Sequence, residues 1–385
     1  MDAQALLKER KDLFTDVIAF KKTKRVPTMG CFFSYKYLDA GYRLDEALYD
    51  YDIMEKCERR FIETYNFDAY SDSGSRNGMK APDALGGGMH FITKDGMKIE
   101  AYDSGKMVSA DEYAEYMADP VAFTWTKTFK RITKPDLTLG DLKTAALEMM
   151  GFVQFGNKMI DMFHNEYGAL LGMNMTDIST ILMPPLEGLF NGVRGMKDLA
   201  LDIRKNKEEL IAYLDFMAET TIYPQLNADV APDSSGFIAD YASAFLAHSI
   251  LSVSQFEELY WPCLKTIIDF CVATNRTIYC FCEATMERFA EFFQDVPKGV
   301  LLIHLEQDNI FEMRKKLPNV AFVGGMPVDL LGHGTKEQCV DYAKKLIDEM
   351  GEGFVLSQNK MMSYLSDAKP ENLIAVNEFA RDYQC

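Results

Sequence analysis

The chain of 385 residues contains no Cys-x-x-Cys pair and no apolar run long enough to cross a membrane. Its eight cysteines lie mostly inside apolar segments, so a disulfide framework is not expected. The first twenty residues mix charged and apolar positions and lack the core of a signal peptide. These absences predict a cytoplasmic protein without a membrane segment.

Positive charge is also scarce. There are 41 Lys and Arg against 58 Asp and Glu, which gives a formal net charge of -17. The acidic residues are spread along the whole chain and not gathered in one tail. This balance disfavours nucleic acid and anionic membranes as partners. It suits a partner with a basic face, or it serves solubility alone, which is the commoner explanation.

The chain lacks a linker rich in Pro, Ser or Gly, and one domain over residues 1–385 is therefore expected. In its second half, short apolar runs alternate with segments of helical spacing, the pattern of a parallel sheet. Strands are predicted at 236–242, 277–282, 300–303, 320–323 and 354–356.

Earlier strand candidates at 26–33, 66–70 and 178–183 bring the count close to eight. This number favours the α/β class with a closed (β/α)8 TIM-type barrel over an open sheet. Residues 1–25 are expected to be an N-terminal helical extension. Residues 86–103 are expected to insert a β-hairpin, because a Lys-Asp-Gly turn separates two short β-rich runs there.

The stretch from Arg276 to Glu306 has the clearest functional signal. Two predicted parallel strands, joined by a helix predicted at 285–293, end near Glu283 and His304. Because the carboxyl ends of parallel strands meet at one edge of a sheet, we expect a carboxylate and an imidazole side by side. A helix cap or a core histidine explains either residue alone. Glu283 and His304 occupy matching positions at the ends of neighbouring predicted strands, and His is rare in this chain, with five residues. Together these facts favour a functional pair.

Several segments together resemble a known family. They are Phe-Asn-Gly-Val-Arg-Gly at 190–195, an aromatic and acidic helix at 254–262, and a closing signature at 324–327, 334–337 and 369–373. Each is weak alone, but their order and spacing resemble the uroporphyrinogen decarboxylase superfamily, and within it the corrinoid-dependent methyltransferase branch. The resemblance covers most of the chain.

One departure from the family pattern concerns the substrate. The decarboxylases carry an Arg-Gln-Ala-Gly-Arg-Tyr run after the first strand, whereas residues 30–37 read Gly-Cys-Phe-Phe-Ser-Tyr-Lys-Tyr. Without bidentate cations, such a pocket suits an apolar or aromatic substrate. Trp125 lies in a helical context, where burial in a core is the more frequent outcome. The candidate substrate contacts are Met29, Phe32, Phe33, Tyr35, Trp125 and Asp240.

A second departure concerns the metal. The thiolate zinc set of the methanol and methylamine members is absent, because the corresponding positions read Phe-Cys-Glu-Ala and Ser-Gln-Asn-Lys. Glu283 followed by His304 resembles the zinc spacing of O-demethylase methyltransferases. Alternation along a strand places Cys280 and Cys282 on the face opposite Glu283. The third zinc ligand is expected to be His248, with Asp240, Cys282 and Glu306 as further candidates.

The resemblance implies a zinc-dependent enzyme that moves a methyl group from a methyl ether, expected to be a phenyl methyl ether, to a Co(I) corrinoid on a partner protein. Glu283 and His304 are its expected catalytic residues. Two alternatives stay open. One is a decarboxylase or lyase without metal, in which the same two residues act as acid and base. The other is a non-catalytic subunit that presents a ligand to a partner.

Overall fold

The computed structural model describes residues 2–72, 78–88, 90–101, 107–174, 176–227 and 232–384. Ten strands lie within these ranges. They are β1 (Thr28–Phe32), β2 (Ala69–Asp72), β3 (His90–Ile92), β4 (Ile99–Ala101), β5 (Leu170–Leu171), β6 (Tyr241–Phe245), β7 (Ile278–Cys282), β8 (Leu301–Leu305), β9 (Ala321–Met326) and β10 (Phe354–Gln358).

Eight of these strands form one parallel sheet in the order β5-β2-β1-β10-β9-β8-β7-β6. Its two edges approach each other, because Leu171 of β5 pairs with Phe237, just before β6. Ile181 in turn pairs with Ala242 of β6. The predicted (β/α)8 TIM-type fold is therefore confirmed. The predicted hairpin is confirmed as well, since β3 and β4 form a separate antiparallel pair.

Helices surround the barrel. In the described ranges, none of them combines the length and the apolar composition that a bilayer span requires. The α-helices are Ala3–Ile18, Tyr35–Asp39, Leu44–Ala47, Tyr51–Tyr65, Lys80–Ala84, Tyr113–Ala118, Pro120–Phe123, Phe129–Ile132, Leu139–Asp161, Pro185–Gly188, Gly195–Lys205, Lys207–Met217, Tyr223–Leu226, Val253–Leu259, Trp261–Ala273, Ile310–Lys316, Val328–His333, Lys336–Met350 and Pro370–Asp382. Shorter 3-10 segments are Ala110–Glu112, Ile178–Thr180, Ala247–Ile250, Glu287–Phe293 and Leu365–Asp367, and π segments are Thr124–Thr128, Met162–Glu166, Leu189–Val193 and Ala218–Ile222.

Strands β1, β7, β8 and β10 are buried at every residue, which explains why they appear in the sequence as continuous apolar runs. The first helix, Ala3–Ile18, packs Leu7, Phe14 and Val17 against the cluster of side chains inside the barrel. Its Lys11 donates to the carbonyl of Phe237, which precedes β6. This helix therefore closes the end of the barrel at which the strands begin, and the site must open at the other end.

Three predicted elements differ from the observed ones. The strand expected at 236–242 lies later, at Tyr241–Phe245. The strand expected at 178–183 is replaced by the 3-10 turn Ile178–Thr180, because the Asp177 side chain caps the amide of Ser179. The helix expected at 285–293 is the 3-10 segment Glu287–Phe293, which starts where the Asp308 carboxylate accepts the first amides.

Candidate functional site

Glu283 lies at the carboxyl edge of the sheet, directly after β7. Its amide donates to the carbonyl of Phe245 on β6, at 3.0 Å, and its side chain is half-buried. By alternation it shares the inward face of β7 with Phe281, a member of the interior cluster. Cys280 and Cys282 pack in the outer core instead, as the alternation predicts. The inward side of this edge therefore presents a carboxyl group.

His304 lies one layer deeper than Glu283. The register pairs it with Phe281, and the two rings are 4.9 Å apart and nearly perpendicular. Since Cys282 pairs with Leu305, the register neighbour of Glu283 is Glu306, whose amide donates to the carbonyl of Cys282 at 3.2 Å. The structure thus places two carboxyl groups, and not a carboxyl and an imidazole, at the same level of the mouth.

Both ring nitrogens of His304 are hydrogen-bonded. Nε2 lies 2.7 Å from the carbonyl oxygen of Gln358, and Nδ1 lies 3.0 Å from the hydroxyl of Tyr279. Because a carbonyl only accepts, Nε2 carries the hydrogen, and Nδ1 accepts from Tyr279. Complete burial lowers the pKa of His304 to about 4. The imidazole is therefore neutral near pH 7 and locked in one tautomer.

The turn after Glu283 is tightly held. Ala284 has a φ of +56°, a conformation that L-residues other than Asn and Asp rarely adopt. The carboxylate of Glu306 accepts its amide at 2.6 Å, and the amide of Gln307 donates to its carbonyl at 3.2 Å. These contacts hold a strained turn, so they also fix the backbone that carries Glu283.

His248 lies beside this turn, in the 3-10 segment Ala247–Ile250 that follows β6. It is 1% exposed, and its ring packs edge-on against Phe289, at 6.0 Å between centroids. The Arg288 guanidinium donates to the carbonyls of His248 and Ser249. Burial, followed by the charge of Arg288, lowers the pKa of His248 to about 4. His248 is thus a neutral ring packed against an outer-core phenylalanine.

Glu187 is a buried carboxyl group that sequence reasoning missed. It is 0% exposed and accepts the amides of Leu246 and Ala247, at 3.0–3.1 Å, and the hydroxyl of Tyr260, at 2.6 Å. Burial raises its pKa to about 7, and the charge of Glu283 adds to this effect. Glu187 thereby holds the turn that leads from β6 to His248. Its Pro-Pro-Leu-Glu-Gly context is that of an ordinary helix start and gave no sign of burial.

The residues that were predicted to contact the aromatic ring of the substrate lie partly inside and partly outside the barrel sheet. Met29 belongs to the interior cluster, and Phe33 packs against it. Phe32 lies outside the sheet, where its ring is 4.2 Å from that of Phe61. Tyr35 is also outside, and its hydroxyl donates to a backbone carbonyl near the last helix, at 3.0 Å. Of these four residues, Met29 and Phe33 therefore face the barrel interior.

Trp125 and Asp240 do not lie on the barrel strands. Trp125 is 61% exposed on the segment Thr124–Thr128, so its expected burial in a core is wrong. Asp240 precedes β6, at the end of the barrel where the strands begin, and accepts from the amide and hydroxyl of Thr277. Its role in the structure is to join the starts of two neighbouring strands.

The inward positions of the barrel strands carry neither Lys nor Arg in the described ranges. This face consists mainly of apolar residues, with His304, two serines and the hydroxyl of Tyr279 as its polar groups. By alternation and register the set is Met29, Cys31, Ala69, Ser71, Leu170, Ala242, Ala244, Tyr279, Phe281, Leu302, His304, Ala321, Val323, Val355 and Ser357.

The zinc ligands expected from the sequence are not assembled. Within the described ranges, no group of three or more His, Cys, Asp or Glu side chains is arranged to hold a metal ion. His304 would have to give up its bond from Tyr279 before Nδ1 could bind one. A catalytic zinc needs three protein ligands, so Glu283, His304 and His248 as placed here do not fit it.

The Tyr279–His304 contact can be tested by stability. Tyr279→Phe leaves a buried ring nitrogen without its donor, which costs about 1–3 kcal/mol. We expect this loss in urea unfolding at pH 7. Tyr241→Phe, on the neighbouring strand β6, is the control, because this buried ring has no such contact with a histidine. Equal stability of the two variants would contradict the hydrogen bond.

The sequence and the fold of this chain are both similar to those of known proteins. Residues 186–383 match the family model described as uroporphyrinogen decarboxylase (URO-D). No curated protein matches the chain. Among solved structures, a methyltransferase from Methanosarcina mazei superposes with a TM-score of 0.64 and 14% identity, over 98% of each chain. At this identity the likeness shows that the two chains share a fold.

Proposed function

This chain belongs to the uroporphyrinogen decarboxylase family, and on that premise we propose that it moves a methyl group from a phenyl methyl ether to a Co(I) corrinoid carried on a partner protein. The methyltransferase with the same fold supports methyl transfer as the reaction class. The expected partners are therefore a corrinoid protein and a small aromatic ether.

The observation that carries the proposal is the lack of Lys and Arg on the inward strand positions of the described barrel. A polycarboxylated substrate needs paired cations, which this face does not offer. A neutral ring bearing a methoxy group needs apolar and aromatic walls, and Met29, Phe33 and Phe281 supply them.

The chemistry requires help at the ether oxygen. When the methyl–oxygen bond breaks, the oxygen keeps the electron pair as a phenolate, and the methyl carbon forms its new bond to cobalt. A phenolate is a poor leaving group unless a proton or a Lewis acid stabilises it. Glu283 and Glu306 are the carboxyl groups that the register places at the mouth. The Glu306 carboxylate holds the turn at the amide of Ala284, so we assign this role to Glu283.

Zinc at Glu283, His304 and His248 stays a prediction that the described side chains do not support. Elemental analysis of the purified protein tests it. Stoichiometric zinc that disappears in both Glu283→Ala and His304→Ala would support these ligands. Zinc that is lost only when Cys280 or Cys282 is replaced would contradict them, and a protein without zinc would leave Glu283 as a proton carrier.

A metal-free decarboxylase or lyase is the second candidate. The hydrogen-bonded state of both nitrogens of His304 favours it, because the residue is then not committed to a metal. Against it stands the same inward face without cations, since the substrate of a decarboxylase carries a carboxylate.

The deciding experiment is an anaerobic assay that follows the loss of Co(I) absorbance. Reduced cobalamin serves as the acceptor, and methoxyarenes, methanol and methylamines are offered in turn. We expect methylation with methoxyarenes, accompanied by an equal amount of the phenol. If no donor methylates the cobalt while a carboxylated substrate releases CO2, the second candidate replaces the first.

A further inference from the structure

A second cavity lies outside the barrel wall. Its volume is about 220 Å3, and it is bounded by the helices Tyr51–Tyr65 and Leu139–Asp161 and by the outward side chains of Tyr70 and Leu171. Strands β2 and β5 separate it from the barrel interior. Glu283, His304 and Glu306 are not among its lining residues.

The wall of this cavity is suited to a flat ring. Three methionines and three phenylalanines line it, and thioethers and aromatic faces both pack well against aromatic ligands. A cavity of about 150 Å3 already holds benzene, so this one has room for a ring with a small substituent. The ring-contacting residues of the wall are Met149, Met159, Met173, Phe152, Phe155 and Phe163.

One charged side chain lines the described wall. Glu58 reaches the cavity from the helix Tyr51–Tyr65, and its side chain is 5% exposed. It forms a buried ion pair with Lys36, whose ammonium lies 5.0 Å from the ring centroids of Phe32 and Tyr37. An ionised carboxylate accepts hydrogen bonds and repels anions. A ligand here must be neutral and gains from carrying a donor.

The entrance is on the helix Leu139–Asp161. Met149 is 51% exposed and Val153 is 42% exposed, although both line the cavity, so a small molecule can enter between them. Met173, on the inner side, contacts both the cavity and the cluster inside the barrel.

We infer that this cavity binds a single neutral aromatic ring that carries a hydroxyl or amine donor, with the ring between the methionine and phenylalanine side chains and the donor toward Glu58. A phenol has this chemistry. It is also the class of product that the proposed function would release, but the chemistry of the cavity wall suits a phenol whatever the reaction is.

Binding can be followed at the methionine methyl groups. In protein labelled with 13C-methyl methionine, phenol should shift the signals of Met149, Met159 and Met173, which single Met→Leu variants assign. Met313, buried on the helix Ile310–Lys316 and not part of the wall, is the internal reference. We expect phenol to bind at least about tenfold more tightly than benzoate, because the described wall carries no Lys or Arg and moving a carboxylate from water into it is costly. No shift with phenol at its solubility limit, or equal affinity for benzoate, overturns the inference.

A matched pair of variants fixes the location. Val153→Trp fills the entrance and should weaken phenol binding by about tenfold or more, while Leu147→Trp adds the same side chain outside the wall of the same helix, at a position 56% exposed. Both positions are open to solvent, so folding should be unaffected. Equal binding by the two variants overturns the site. Because the readout needs no cobalt, failure here leaves the methyl-transfer assay as an independent test.

Discussion

Replacing Glu283 by Gln should lower the rate of methyl transfer by about a thousandfold, in the middle of the range of roughly 10²–10⁴ known for positioned acid–base groups. Gln keeps the size of the side chain but removes its charge and its acidic proton. As a proton donor to the leaving oxygen, Glu283 needs its acidic proton. As a ligand of a cation, it needs its charge. Single-turnover loss of Co(I) absorbance at saturating ether measures the effect.

The control for this variant lies on the same loop. Glu291→Gln changes an exposed residue of the segment Glu287–Phe293 and should leave the rate unchanged. The apparent affinity for the ether should also be unchanged in Glu283→Gln, because the apolar walls that bind the ring are intact. A variant at Glu283 with the rate of the native protein would remove this carboxyl group from the site.

Local patterns explain what the sequence could predict. The strands buried on both faces are continuous apolar runs, and the alternation of side chains along β7 depends on that strand alone. It therefore placed Glu283 inward and Cys280 outward correctly. The hairpin was found because Gly96, at a φ of +72°, occupies a turn that favours glycine.

Such local patterns do not determine the register between neighbouring strands. Aligning the ends of the two apolar runs puts His304 beside Glu283, but the stagger of a barrel is a property of the whole closed sheet. The observed pairing shifts the neighbour of Glu283 to Glu306. The partner of His304 Nε2 is Gln358, which lies 54 residues away in the sequence. A set of metal ligands that is inferred from the ends of apolar runs therefore changes when the register between the strands shifts by two residues.

The burial of a side chain by residues that are distant in the sequence could not be predicted either. Glu187 is enclosed by groups 59 to 73 residues away, from the end of β6 and from Tyr260. Trp125 shows the converse, since its side chain is 61% exposed and has Phe129 as its aromatic neighbour. In both cases the tertiary surroundings, and not the helical context, decide the environment of the side chain.

Glu187 gives the stability of the fold an unusual dependence on pH. Its pKa is raised from 4.5 to about 7 by burial, so the folded chain holds a proton that the unfolded chain releases. The resulting stabilisation is fully present below pH 4.5 and is lost as the pH rises through 7. Its size is about 3 kcal/mol, at 1.36 kcal/mol for each pKa unit. The buried histidines act with the opposite sign, since their lowered pKa values make acid destabilising.

Glu187→Gln separates these effects, because the histidines are common to both proteins and cancel in the comparison. The amide stays neutral at every pH and can still accept the amides of Leu246 and Ala247. Relative to the native chain, the variant should therefore gain about 3 kcal/mol between pH 5 and pH 8, as measured by urea unfolding. Glu209→Gln, at an exposed helical position, should show the same difference from the native chain at both pH values. A constant difference for Glu187→Gln would mean that this carboxyl group ionises as freely in the folded chain as in the unfolded one.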